Sequence, residues 1–291
     1  MQNIKFKNII GERYASIEEV FQVADGREII HDWKGDSQPE SKRYGAGSAD
    51  VSFDTSKKEL LFGTNRFDAE FKKIKADVDH EAAEYFKMVK VSRNKLDVVG
   101  GSVSVGRALA GHPRAMKRRI ADRRPKKVVE ICYGITCPWS YPSKDRLKYG
   151  CIVLACAEAL EKAGYGVAIT LFADMTTDYS HKEITMLEVP IKSYSSPFNC
   201  TKLQYPVGAE ASLFHLGRYW AHRYPKGFWS SCEGCAADSL DRGDEIKEYC
   251  DSKGAVFLSH VMMKEKLGSG NIDKTFKYIE KEIERIAKLS R

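Results

Sequence analysis

The sequence predicts an α/β fold: a mainly parallel sheet covered by helices on both faces, preceded by an irregular α+β region. Three observations predict it. From Val128 onward, strand-like and helix-like segments alternate, the order expected of a parallel sheet with helical crossovers. The apolar runs Val128–Tyr133 and Val167–Phe172 bracket a helix over Leu147–Ala163. The middle of that helix, Cys151-Ile152-Val153-Leu154-Ala155-Cys156-Ala157, is apolar on nearly every side, so it belongs between a sheet and another layer.

In chain order, Ser16 with Glu19 three residues on reads as a capping box that starts a helix. Gly35–Gly47 is rich in Gly, Ser and charge and reads as a loop. Phe67–Lys90 carries Phe71, Ile74, Val78, Ala82, Tyr85 and Phe86 at helical spacing, and a helix is expected there. Val98–Gly106 alternates apolar and small residues like a strand with a glycine turn. Arg107–Ile120 is expected to be helical, started or interrupted at Pro113. Gly164 and Gly166 close the buried helix. Glu183–Ile191 and Ala255–Leu258 read as strands, Gly208–Tyr224 and Asn271–Leu289 as helices. In the last of these Ile272, Phe276, Ile279, Ile283 and Ile286 step by four and three. The expected division is an N-terminal α+β region over residues 1–95, a glycine-containing basic connector over 96–127 and an α/β domain over 128–291. The sequence has no internal repeat.

A chain of 291 residues with 43% hydrophobic and 30% charged residues fits an ordinary soluble protein able to bury a sizeable core. It has no apolar run of about 18 residues, so no membrane span is expected. Met1–Phe6 lacks the apolar core of a signal peptide, and the eight cysteines are expected to be reduced thiols in a cytoplasm. The net charge of +7 is localised: Arg114, Lys117, Arg118, Arg119, Arg123, Arg124, Lys126 and Lys127 are opposed only by Asp122 within their stretch. Concentrated charge of one sign is the footprint of a polyanion partner.

Two blocks resemble an uncharacterised family of proteins from tailed bacteriophages and prophages. One is Asp97-Val98-Val99-Gly100-Gly101-Ser102-Val103-Ser104-Val105-Gly106-Arg107-Ala108-Leu109-Ala110-Gly111-His112-Pro113. The other is Val128–Phe172, with Arg146-Leu147-Lys148-Tyr149-Gly150 entering the buried helix and Ala163-Gly164-Tyr165-Gly166-Val167 leaving it. A third, weaker block is Leu203-Gln204-Tyr205-Pro206-Val207-Gly208. The segment around Cys232 departs from the pattern. The resemblance implies a phage origin, hence the cytoplasm of an infected bacterial host, and a Rossmann-like or von Willebrand A-like domain. It implies no activity and transfers no functional residues.

The candidate sites are weighed against plainer readings. The basic run can fork onto phosphates through its arginines, or it is a solvated linker. It has no interleaved aromatics, which argues against a single-strand stacking platform. Cys232-Glu233-Gly234-Cys235 with Cys250 and one of His260, His222 or His215 has the donors for zinc, but free thiols are simpler, and no cofactor is expected. Gly134–Asp145 follows the first core strand, where open sheets bind ligands. It offers Thr136, Ser140 and Ser143 for polar contacts and Cys137 as a nucleophile, with Trp139, Tyr141 and Asp145 nearby. Pro138 and Pro142 make a rigid turn the simpler account. It has no glycine-rich phosphate loop and no Asp-x-Ser-x-Ser metal motif. Asp174, Asp178 and His181 follow the next strand as an acid/base or metal cluster, although Asp, Thr and Ser are ordinary loop residues. His215 and Trp220 read as helix packing. Gly100-Gly101 with Gly106 reads as a backbone turn rather than a phosphate loop.

The leading expectation is a non-catalytic phage accessory protein that binds a nucleic acid or an acidic protein surface, with no membrane partner. The alternatives are an enzyme acting on a nucleotide or nucleic acid at the strand ends, and a structural or assembly component of the virion.

Overall fold

The computed structural model describes residues 1–28, 52–85, 92–97, 102–121, 127–137, 141–176, 183–209, 213–221, 223–224 and 242–289. Strands β1 (Gln2–Phe6) and β2 (Ile9–Arg13) lead to helix α1 (Ile17–Asp25). Ser16 caps α1 by accepting the Glu19 N–H at 3.1 Å, and Glu19 reaches back to the Ala15 N–H at 2.5 Å. Helices α2 (Phe53–Phe62) and α3 (Asp68–Tyr85) follow, then β3 (Ser92–Asp97), β4 (Ser102–Val103), a short helix α4 (Val105–Leu109) and β5 (Met116–Ala121). Next come β6 (Lys127–Gly134), α5 (Ser143–Lys162), β7 (Tyr165–Thr176), β8 (Ile184–Lys192) and α6 (Cys200–Gly208). A π-helical stretch at Leu213–Arg218 runs into a turn of helix at Tyr219–Ala221. The chain closes with α7 (Gly243–Ser252), β9 (Ala255–Ser259), α8 (His260–Glu265) and α9 (Ile272–Leu289).

The fold is α/β, and the main sheet runs β1-β2-β8-β7-β6-β9. It is mixed rather than mainly parallel. β2 with β8, β7 with β6 and β6 with β9 are parallel, while β1 with β2 and β7 with β8 are antiparallel. The reason lies in the connections. A 20-residue helix carries β6 over to β7, but only a few residues separate Thr176 from Ile184, too few for the crossover a parallel pair needs. The N-terminal segment, expected as a region of its own, supplies two strands of this same sheet.

Alternation along β6 assigns the two faces. The thiols of Cys132 and Cys250 of α7 are in hydrogen-bond contact, and the ring of Tyr249 of α7 lies 6.0 Å from that of Phe172, the residue in register with Gly134. The neighbouring Tyr133 therefore points to the other face, where α5 lies. Along α5, Ile152, Val153, Leu154, Cys156 and Ala157 are fully buried, as the all-round apolar pattern requires. Gly150 explains how α5 meets α6: a Cβ there would fall 2.6 Å from the Gly208 Cα and from the Val207 carbonyl. Two of the resembling blocks thus touch backbone to backbone.

A second, antiparallel sheet has the order β3-β5-β4. Here the expectation of a helix over Arg107–Ile120 fails. Helix α4 ends at Leu109, Gly111 takes a positive φ of 65°, and residues 116–121 pair with 92–97 as a strand. Lys and Arg are good helix formers, but the pairing partner decides. Likewise Val105 opens a helix where a strand was expected, and the helix expected over Gly208–Tyr224 is found over residues 213–221, while Gly208 closes the preceding helix. Residues 98–101 and 35–47, the latter expected as a loop, lie outside the described residues.

Candidate functional site

Strand β6 leaves the sheet through Ile135 and Thr136. The Ile135 N–H donates to the Phe172 carbonyl at 2.8 Å, which prolongs the pairing with β7. Thr136 then accepts the Asp174 backbone N–H on its Oγ1 at 2.9 Å. Thr136 and Asp174 are both buried, so two residues singled out in the sequence meet at the strand ends. Gly134 admits their neighbours: a Cβ at that position would lie 3.1 Å from the Ser259 Cβ and 3.7 Å from Asp174 Oδ1. Ser259 in turn caps α8 by accepting the Met262 N–H at 3.0 Å. Asp178, His181 and Ser140 lie outside the described residues.

Cys137 is buried in a small cluster with Tyr141 and Val261, a packing position rather than the exposed, electropositive setting of a reactive thiol. Tyr141 donates to Glu265 at 2.8 Å, and the Lys264 ammonium sits 3.7 Å over its ring. Burial, then the Glu265 carboxylate, pushes the Tyr141 hydroxyl well above its usual range.

On the α5 side, His260 lies edge-on to Tyr133 with ring centroids 5.2 Å apart, and 6.2 Å from Tyr149. Burial first, and then the Arg146 guanidinium, lowers its pKa to about 3, so the imidazole is neutral. The Ile135 carbonyl faces the ring without reaching hydrogen-bond geometry. Arg146, in the first turns of α5, is itself only 2% exposed. The sequence reading passed over Arg146, and weighed His260 only as a metal ligand. An arginine in the first turns after a strand-end loop was the available signal.

The zinc reading loses two of its members to opposite faces. Cys250 is buried against Cys132 on the α7 face, whereas His260 lies edge-on to Tyr133 on the α5 face. Burial, then the neighbouring Cys250, holds the Cys132 thiol well above its normal range. His215 is buried against Phe53, 5.5 Å ring to ring, and Trp220 Nε1 donates to Glu12 at 2.9 Å. Among the described residues, no group of three or more His, Cys, Asp or Glu is arranged to hold a metal. Cys232, Cys235 and His222 lie outside them.

Residues 116–121 of the basic run form a strand within the stretch expected as a connector. Lys117, Arg118 and Arg119 belong to β5, flanked by Arg114 and by Lys127, both exposed. The register sets Arg118 opposite Lys95, Arg119 opposite Asn94 and Lys117 opposite Leu96. Beside this strand Val103, Val105 and Leu109 are 50%, 66% and 84% exposed. Arg123, Arg124 and Lys126 lie outside the described residues. Gly106 sits inside α4 with open space around it and cradles nothing.

A family model described as a domain of unknown function (DUF7192) matches residues 3–277. No curated protein and no solved structure gives a significant match. No helix among the described residues is long and apolar enough to cross a membrane.

Proposed function

The chain belongs to the DUF7192 family, and we propose that it acts by binding a polyanion, a nucleic acid in the first place, on the basic sheet formed by β3, β4 and β5. One observation carries this reading: Lys95 and Arg118 stand directly opposite each other in the antiparallel register. Like charges in that position destabilise a sheet, and a chain of phosphates laid along it offsets the repulsion while releasing counterions. An acidic protein surface answers the same charge, but without the regular spacing of a phosphate backbone. The phage origin, the cytoplasmic location in an infected host and the Rossmann-like or von Willebrand A-like character belong to the same proposal. The parallel trio β7-β6-β9 with its helical crossover supports the last of these.

The test is fluorescence anisotropy with labelled duplex and single-stranded oligonucleotides over a range of salt. Arg118→Ala with Arg119→Ala is expected to weaken binding about equally for all sequences and to reduce the salt slope by about 1, because adjacent strand positions alternate between faces and only Arg118 shares a face with Lys95. An unchanged affinity in that variant, or none in the parent protein, would sink the proposal. A second reading, an enzyme acting on a nucleotide at the strand ends, draws on the meeting of Thr136 with Asp174. It requires Asp174→Asn to remove a hydrolytic or transfer activity while leaving polyanion binding intact.

A further inference from the structure

On the α5 side of the strand ends, buried polar groups lack partners. The Tyr133 hydroxyl and both ring nitrogens of His260 make no hydrogen bond, although Tyr133 is fully buried and His260 only 3% exposed. Their rings touch, so these orphaned atoms share one neighbourhood. Native proteins seldom leave such groups unmade unless water or a ligand completes them.

What surrounds them identifies the ligand. Arg146 brings a buried guanidinium close enough to act on His260. The 20-residue helix α5 begins here, and its cap residue, Pro142, supplies no side-chain acceptor for the first N–H groups, which favour an anion. Tyr133 has an O–H to donate, neutral His260 one N–H, which the Ile135 carbonyl faces, and Arg146 adds its positive charge. Asp174 does not oppose an anion here, because its carboxylate lies beside Gly134 on the other face of the sheet. Asp145, whose charge helps raise the Tyr149 hydroxyl after burial, is the carboxylate such a ligand must skirt. The site is also the switch point of the sheet: from β6 the chain crosses through α5 to β7 on one side, and β9 pairs on the other. Ligands of open α/β sheets lodge at that point.

We propose that Arg146, Tyr133, His260 and the N-terminus of α5 bind a phosphoryl group, carried by free phosphate or by a small nucleotide. The proposal is independent of the basic sheet. Isothermal titration of the full chain with inorganic phosphate and with adenosine monophosphate, against chloride at matched ionic strength, tests it. Saturable binding of either probe is expected, and which probe binds tells free phosphate from nucleotide. Tyr133→Phe removes a single hydroxyl and is expected to weaken binding about tenfold, and His260→Gln or Arg146→Gln by more. Should Arg146→Gln fail to fold, the first two variants still decide. No saturable binding with either probe overturns the proposal. So does full affinity in Tyr133→Phe and His260→Gln, and so does binding that disappears in the Arg118→Ala, Arg119→Ala variant, which would move the phosphate to the basic sheet.

Discussion

Glu12 is a carboxylate kept charged in the interior by three partners. Tyr14 donates to it at 2.5 Å, Arg27 at 2.8 and 2.7 Å, and Trp220 at 2.9 Å. Burial pushes its pKa up, but the hydrogen bonds from Arg27, Tyr14 and Trp220 outweigh it and hold the group below its ordinary value. A carboxylate with a depressed folded pKa stabilises the protein above the unfolded value, and that contribution is lost as pH falls below about 4.5. Glu12→Gln is expected to cost about 3 kcal/mol at neutral pH, because Arg27 would stay half-buried without its counter-charge. Urea titration at pH 7 and pH 4 checks both the size and the narrowing of the difference. His260 works in the opposite chemical sense with the same sign. It is neutral when folded and takes up a proton when unfolded below its ordinary pKa of 6.5. Between about pH 6.5 and 3 the unfolded chain holds one proton more, so stability falls with acid by about 1.4 kcal/mol per pH unit from this residue. His260→Gln should lose that slope, and an unchanged slope would mean the imidazole is protonated in the native protein.

At the scale of elements, helix α5 is the part most completely written in the chain. Its apolar run leaves no polar side to face water, so burial follows wherever the sheet happens to be. Leu154→Ala should cost about 2–5 kcal/mol in thermal or urea unfolding, the range for a packed leucine. The contact with α6 is different, because two glycines far apart in sequence create it. Gly150→Ala would drive a methyl into the Gly208 and Val207 backbone, and a loss of about 1–3 kcal/mol or more is expected. An unaffected melting temperature would show that the two helices can part. Strand β5 was read as a helix for a reason of the same kind. Six residues rich in Lys and Arg lean locally toward helix, and only the β3 backbone alongside converts them into a ladder. The candidate phosphoryl site was half visible: the loop position and the helix start are local, whereas His260 reaches Tyr133 only because β9 pairs with β6.

The main sheet and the helices packed on it share one hydrophobic core, and it includes the N-terminal strands and helix. Ile9, Val20, Phe21 and Ala24 belong to the same buried cluster as Ile131, Leu171 and Val189. β2 covers the outer edge of β8, and Glu188 of β8, buried at that border, is held by Arg13 of β2 at 3.3 Å, by Tyr249 at 2.7 Å and by Lys253. A fragment over 128–291, the α/β domain expected from the pattern, would bare that edge and strip Arg13 from Glu188. It is expected not to fold cooperatively, while the full chain should unfold its main sheet in one transition. Circular dichroism of the fragment decides, and a native-like cooperative melt would restore the boundary near residue 128.

By itself the sequence determined the α/β class, the burial of α5, the strands on either side of it, the cap at Ser16 and the concentration of charge before β6. All of these depend on residues within a few turns of one another, where periodicity and charge act directly. The tertiary structure alone decided the mixed direction of the sheet, the entry of β1 and β2 into it, the strand at 116–121 and the separation of Cys250 from His260 across two faces. Each depends on which distant segment supplies a hydrogen-bonding edge, and the backbone donors and acceptors that make that choice are the same in every residue but proline.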